Sequence, residues 1–335
     1  MKLRVITSTV FTALGLVTGL LFSLAAAADY SKHPGAQAFA DRMVSEYNFD
    51  RTEVELLLKD AEKQQSIIDA MSRPAEKVKP WKDYRKIFIQ EKRIDEGVKF
   101  WHENRDALNR ASAKYGVAPE VIVAIIGVET FYGRIKGNYR VIDALATLSF
   151  DYPKRSPFFT KQLEHFLLLS KEQKQAPLAL KGSYAGAMGY GQFIPSSYRN
   201  YAVDFDGDGF VDIWNNTTDA IGSVANYFSR HGWALDGEVV FRARVTANYD
   251  DSALNKLKLE KTIDELSVMG FTPTQPLAGD LKAIPILLQG NRGAEFWLGL
   301  NNFYVITRYN HSRLYAMAVH ELSQLILERV GQGDQ

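Results

Sequence analysis

The segment from Ala118 to Gly133 constrains this chain more than any other, because the residues between Pro119 and Gly133 are almost uniformly apolar. Pro119 suits the first position of a helix, and Gly133 suits the left-handed residue that ends one. A helix apolar on every side is a buried helix, so the rest of the fold must wrap around it. Glu129 interrupts the pattern. On a helical period it shares a stripe with Ile122, Ile125 and Ile126. A carboxylate among isoleucines is poorly solvated, which disfavours its charged form and raises its pKa. A carboxylic acid that keeps its proton near neutral pH is what general-acid chemistry needs. A buried structural acid, satisfied by an arginine or by backbone donors, fits the same residue.

The first residues, Met1-Lys-Leu-Arg-Val-Ile6, set two positive charges before an apolar run from Val5 to about Leu24, and Ala25 to Ala28 follow as a small-residue cleavage context. Residues 1–28 read as a secretory signal, the mature chain starting near Asp29 in the periplasm. The run is also long enough for an uncleaved anchor. The chain contains no cysteine, so stability must come from the core, and no lipid can be attached through a Cys beside the signal. A net charge of +1 leaves no basic excess to displace counterions, which argues against nucleic acid as the main partner. The aromatics, Tyr 16, Phe 19 and Trp 5, supply core and also faces on which sugars stack.

From His33 to about Tyr115 the pattern is helical. Asp50 caps a helix through Val54, Leu57 and Leu58, and one longer helix carries Ile94, Val98, Trp101 and Leu108 up to Gly116. Trp81-Lys-Asp-Tyr84 reads as a loop between them. Beyond Glu129, Ala144, Leu145 and Leu148 are helical until Asp151-Tyr-Pro-Lys-Arg155 breaks the run, and Phe158 to Leu169 resumes it. Lys181 to Pro195 is different in kind, with four glycines that permit close backbone approach. Ser183 and Gln192 are its side-chain hydrogen-bonders, and no phosphate-loop ending is present. A merely structural glycine-rich turn is the alternative.

Asp204-Phe-Asp-Gly-Asp-Gly-Phe-Val-Asp-Ile-Trp214 has calcium-loop spacing. Asp204, Asp206 and Asp208 take its first, third and fifth positions, Gly209 the sharp turn, and Phe210 a backbone-carbonyl position. The twelfth position is Asn215 rather than Glu, so Asp219 is the candidate closing carboxylate, with Asp212 a further ligand. Oxygen donors without His or Cys favour calcium, and no organic cofactor is expected. Further on the period changes: Val239, Phe241, Ala243 and Val245 alternate as a strand, Thr262-Ile-Asp-Glu265 is a capping box, and Ala283 to Leu288 and Ala294 to Leu300 are strands, Pro285 marking an edge. The last segment returns to helix, with Tyr315, Val319, Leu322 and Ile326 on one stripe behind Arg308-Tyr-Asn-His-Ser-Arg313.

Glu129-Thr-Phe-Tyr-Gly133, the Ser183–Ser197 stretch, the acidic loop and Arg308-Tyr-Asn-His-Ser312 occur in this order, and together they resemble the lytic murein transglycosylase B family over nearly all of the mature sequence. The resemblance implies an α+β, mainly α fold: a lysozyme-like core flanked by a helical domain and a small antiparallel β subdomain. The expected partition is a helical domain over 29–116 joined by 301–335, a catalytic core over 117–234 with the calcium loop, and a β subdomain over 235–300. By resemblance Glu129 is the catalytic acid/base, while Ser183, Gln192, Tyr84, Tyr227, Tyr309, Asn310 and Tyr315 line the glycan groove. The implied partners are peptidoglycan strands and other cell-wall enzymes, acted on by a monomer. The implied reaction cleaves between N-acetylmuramic acid and N-acetylglucosamine and leaves 1,6-anhydromuramic acid ends. An ordinary hydrolytic muramidase and a non-catalytic murein-binding protein are the alternatives.

Overall fold

The computed structural model describes residues 29–72 and 79–333; the signal segment expected over 1–28 lies outside them. The N-terminal part is helical: α1 (Pro34–Tyr47), α2 (Arg51–Asp60), α3 (Gln65–Ser72), α4 (Trp81–Phe88), α5 (Glu91–Glu103) and α6 (Arg105–Tyr115). The central helix α7 (Pro119–Thr130) follows. A two-residue strand β1 (Tyr139–Arg140), α8 (Val141–Phe150), α9 (Ser156–Glu172), a second short strand β2 (Lys181–Gly182), α10 (Pro195–Tyr201) and α11 (Thr217–Arg230) complete the middle of the chain. Next come β3 (Val240–Val245), β4 (Lys261–Thr262), α12 (Ile263–Val268), β5 (Phe271–Pro273), β6 (Lys282–Gly290) and β7 (Gly293–Gly299). Helices α13 (Asn301–Tyr309) and α14 (Arg313–Gly333) finish it.

Local chemistry accounts for most of these boundaries. Asp50 accepts the Glu53 amide at 2.9 Å and starts α2. Thr262 and Glu265 exchange reciprocal capping bonds at the head of α12, at 3.2 and 2.9 Å. Three expectations are corrected. The long helix through Ile94 and Leu108 is two helices, because Asn104 turns its side-chain amide back on the Phe100 carbonyl at 2.8 Å, the competition with helix backbone typical of Asn. Trp81–Tyr84 is the first turn of α4 rather than a loop; Trp81 is buried and anchors it. Helix α7 ends before Gly133, since Phe131 and Tyr132 already take left-handed φ of 50° and 57°. Gly133 is needed for another reason: at φ 86° its missing Cβ would stand 2.1 Å from the Tyr190 ring.

One apolar cluster runs from Tyr30 to Val330 and has α7 at its centre, with Ile122, Val123, Ala124, Ile125 and Ile126 at 0 % exposure. Helix α14 packs along α7 through the buried stripe Tyr315, Val319, Leu322 and Ile326, which places the end of the chain against the middle of it. The sheet is antiparallel in the order β4-β6-β7-β3-β5. Pro285 lies on a strand flanked on both sides, but β4 covers only Lys282 and Ala283. Past that point Asn255 takes over: its amide donates to the Pro285 carbonyl and its Oδ1 accepts from Leu287, both at 2.9 Å. Pro285 therefore interrupts no ladder bond on that side. A second apolar cluster, of Ile263, Leu266, Phe271, Ala283, Leu298 and Leu300, sits under α12.

Candidate active site

Glu129 occupies the last turn of α7, half-buried, with its Oε1 accepting a 2.5 Å hydrogen bond from the Tyr315 hydroxyl. Desolvation pushes its pKa up to about 7, against the opposing pull of the Tyr315 bond. Among the described residues no basic side chain pairs with it. Arg93, the obvious candidate from α5, instead donates to the Gly127 carbonyl and lies over the Phe131 ring at 4.7 Å. The ion pair that would have made Glu129 structural is absent. Burial, and then the Glu129 charge, raise the pKa of Tyr84, Tyr309 and Tyr315, so all three stay neutral near the acid. Tyr84 reaches this position from α4.

The glycine-rich loop packs against the end of α7. It starts at the β1–β2 pairing of Tyr139 with Gly182, and Ser183 Oγ accepts from the Ala185 and Ala187 amides at 3.3 and 3.0 Å. Neither bond uses its hydroxyl hydrogen. Gln192 stands in left-handed backbone, φ 51°, and its Nε2 donates to the carbonyls of Gly189 at 3.0 Å and Lys136 at 3.3 Å. With both amide hydrogens used, its Oε1 remains as an acceptor. The loop is tied to the acid through Thr130, whose hydroxyl lies 2.9 Å from the Tyr190 carbonyl, and through Tyr309, which donates to the Gly191 carbonyl.

The remaining aromatics pack behind this loop. Tyr227 is buried, donates to the Arg308 carbonyl at 2.6 Å and stacks on His231 at 4.0 Å. Tyr309 stacks on Phe228 at 5.7 Å and meets Tyr227 edge-on at 4.7 Å. Their hydroxyls are spent on backbone carbonyls, so these rings brace the loop rather than offer donors. Asn310 is exposed at the end of α13. Sequence reasoning passed over Lys136, Tyr190 and Arg93. The signal for Tyr190 was its place between two glycines; Lys136 and Arg93 act by contacts distant in sequence and left no signal.

In the acidic loop, carboxylate oxygens of Asp204, Asp206 and Asp219 lie within 4.8 Å of one another. Asp219 is fully buried at the head of α11, and burial first, then the facing Asp206 and Asp204, raise its pKa. Three carboxylates converging on one point fit a hard cation and no anion. Asp208 turns to the Phe210 amide at 2.8 Å and stands outside that group. Asn215, at the twelfth position of the spacing, bonds Asp212 at 3.2 Å instead. The loop also reaches the glycine-rich loop: Tyr190 donates its amide to the Ile213 carbonyl at 2.9 Å, and Lys136 Nζ donates to the Trp214 carbonyl.

A proton-holding carboxyl at the end of a core helix, bonded by a tyrosine hydroxyl and tied through Thr130 to a glycine-rich loop, fits a glycan-cleaving protein of the lysozyme-like class. Comparison with known proteins makes this particular. The chain matches the transglycosylase SLT domain family over residues 31–324 and belongs to it. It is 48% identical over 308 residues to membrane-bound lytic murein transglycosylase B of Escherichia coli K12, covering 89% of this chain and 84% of the relative. It superposes on the catenated lytic transglycosylase SltB1 of Pseudomonas aeruginosa with a TM-score of 0.88 at 50% identity, covering 90% and 100% of the two chains. Against E. coli Slt35 in complex with calcium the TM-score is 0.83 at 47% identity, covering 91% and 96%. The protein is therefore a lytic transglycosylase, an enzyme of the cell wall that cleaves peptidoglycan. Among the described residues no single helix is long and apolar enough to cross a membrane; α6 and α7 together pass on composition but meet at 115°.

Proposed function

We propose that Glu129 carries out both proton transfers of a non-hydrolytic cleavage. Its protonated carboxyl donates to the oxygen that links N-acetylmuramic acid to N-acetylglucosamine, and that bond to the muramic C1 breaks. The muramic N-acetyl group stabilises the cationic carbon. Glu129, now a carboxylate, takes the proton of the same sugar's C6 hydroxyl as O6 bonds to C1, closing the 1,6-anhydro ring. No water enters, and the proton count of Glu129 is restored. The observation that carries this reading is that, among the described residues, Glu129 keeps its proton beside the neutral Tyr315 hydroxyl with no charged group acting on it. A hydrolase of the two-carboxylate kind needs a second acid within about 5–10 Å; Glu120, the nearest acid in sequence, stands at the other end of α7, about 13 Å of helix rise away, and the next two downstream are engaged elsewhere. Asp143 is paired with Arg140 at 2.8 Å, and Asp151 with Lys63 at 2.9 Å.

Ser183 as donor and Gln192 as acceptor match the carbonyl and N–H of an acetamido group, and positioning that group lowers the barrier by fixing a near-attack geometry. Tyr84, Tyr309 and Tyr315 enclose the reacting centre, with Tyr227 behind them and Asn310 at the mouth. Calcium, as in the Slt35 complex, would be held by Asp204, Asp206, Asp219 and the Phe210 carbonyl, with Asp208 drawn in by rotation; its chemistry there is charge neutralisation that stiffens the loop. The domain partition given above, with 117–234 as the catalytic unit, and a soluble, periplasmic, monomeric enzyme are part of the same reading. The test is mass spectrometry of digested murein. Wild type should release ends one water lighter than reducing ends, and Glu129→Gln should release none. Reducing ends from wild type would establish hydrolysis instead.

A further inference from the structure

A cleft of about 720 Å³ opens between the segment after β3 and the junction of α13 with α14. Lys256, Lys258, Arg308, His311 and Arg313 line it, and among the described residues no carboxylate does. The charges come from two stretches of chain, Asn255 to Lys258 and Tyr304 to Leu314, which the fold brings together. Local neutralisation is slight: Lys258 has Glu260 at 3.8 Å on the open surface, and Arg308 leans over the Tyr304 ring at 5.8 Å. Arg313 donates Nε to the Leu287 carbonyl at 3.3 Å. Its pKa is lowered by burial with no acid opposing it. The start of α14, a 21-residue helix, points into the same cleft through Ser312, Arg313 and Leu314, and its dipole adds partial positive charge. Tyr315, which holds Glu129, follows Arg313 by two residues, about 3 Å of helix rise.

We propose that this cleft binds a carboxylate of the peptide that branches from the sugar strand, holding the substrate by its peptide while Glu129 acts on the glycan. The inference rests on the peptidoglycan-cleaving reading and adds the part of the substrate that lies off the sugar chain. A carboxylate suits an array that offers both the forked guanidinium of Arg313 and the point charges of Lys256 and Lys258.

Binding separates this from catalysis. The affinity of the Glu129→Gln protein is measured for soluble peptide-bearing strands and for the same strands with carboxyls capped as amides. The acid form should bind about tenfold tighter, as one lost charge-assisted contact implies, and added salt should narrow the gap. Introducing Arg313→Gln, or the exposed pair Lys256→Gln with Lys258→Gln, should remove that preference and leave affinity for the amide form unchanged. The lysine pair keeps the test valid if Arg313→Gln disturbs folding. Equal affinity for acid and amide strands overturns the proposal, as does a variant that weakens both forms alike. A cleft that instead governs binding to vesicles of anionic phospholipid, with no difference between acid and amide strands, also overturns it. Failure of wild type to release anhydro ends would sink the catalytic reading and leave this affinity ratio intact.

Discussion

Burial holds the Glu129 carboxyl protonated up to about pH 7, against 4.5 in the open chain. As a general acid it should support turnover below that value and lose it above, so the alkaline limb of kcat/KM should fall near pH 7. Tyr315 donates to the carboxylate form and so pulls that pKa down. Tyr315→Phe removes the bond, and the limb should move up by about one unit, since a hydrogen bond to a charged group contributes about 1.5–3 kcal/mol and one unit is about 1.4 kcal/mol. A limb that stays in place would separate Glu129 from the observed pKa. The same residue makes a stability statement. Its folded pKa lies above its unfolded pKa, so its contribution is complete below about pH 4.5 and declines as pH rises through 7. Glu129→Gln escapes that decline. Denaturant midpoints at pH 8 should show it more stable than wild type by roughly 2 kcal/mol, less than the full shift because the carboxyl keeps some surface in the groove. Below pH 4.5 the gap should vanish.

At the scale of the element, the glycine-rich loop is set from two sides. Thr130 and Tyr309 fix it to the acid, and the carbonyls of Ile213 and Trp214 fix Tyr190 and Lys136 to the acidic loop. Because Lys136 in turn accepts from Gln192, order in the acidic loop passes to the side chain proposed to hold the acetamido group. Calcium at 100-fold its dissociation constant should stabilise the fold by about 2.7 kcal/mol, seen as a rise in Tm. Asp219→Asn should abolish that rise, and chelation should raise KM more than it lowers kcat. A chelated enzyme with unchanged KM would show the two loops to be independent. Gly133→Ala tests the other side. A Cβ at φ 86° against the Tyr190 ring should cost about 1–3 kcal/mol and displace Tyr190, lowering kcat/KM.

Over the whole molecule, the second apolar cluster is not a separate body. Strand β6 gives Ala283 to it and Ile284, Ile286 and Leu288 to the main core, so one strand belongs to both. Leu266→Ala, at a fully buried position of the small cluster, should therefore lower a single calorimetric transition by about 2–5 kcal/mol. Two resolved transitions would show that the sheet unfolds alone. The same sharing carries the segment around Lys256 and the head of α14 to one cleft, which neither part forms by itself.

What could be read from the chain alone was whatever depends on neighbours a few residues away. The all-apolar helix with one acid, the Asp50 cap, the Thr262–Glu265 box, the carboxylate spacing and the change of period near Val239 are all set by local backbone geometry and solvation. Misreadings arose where a single side chain or a packing contact outweighed the pattern: Asn104 bonding back on its own helix, Trp81 sinking into the core and taking its segment into α4, and α7 stopping at Phe131. That Glu129 meets Tyr315 rather than Arg93, that Tyr227 and Tyr309 spend their hydroxyls on backbone, and that Lys136 joins two loops were decided by tertiary structure alone. Each depends on partners far along the chain, whose approach is fixed only when the core closes around α7.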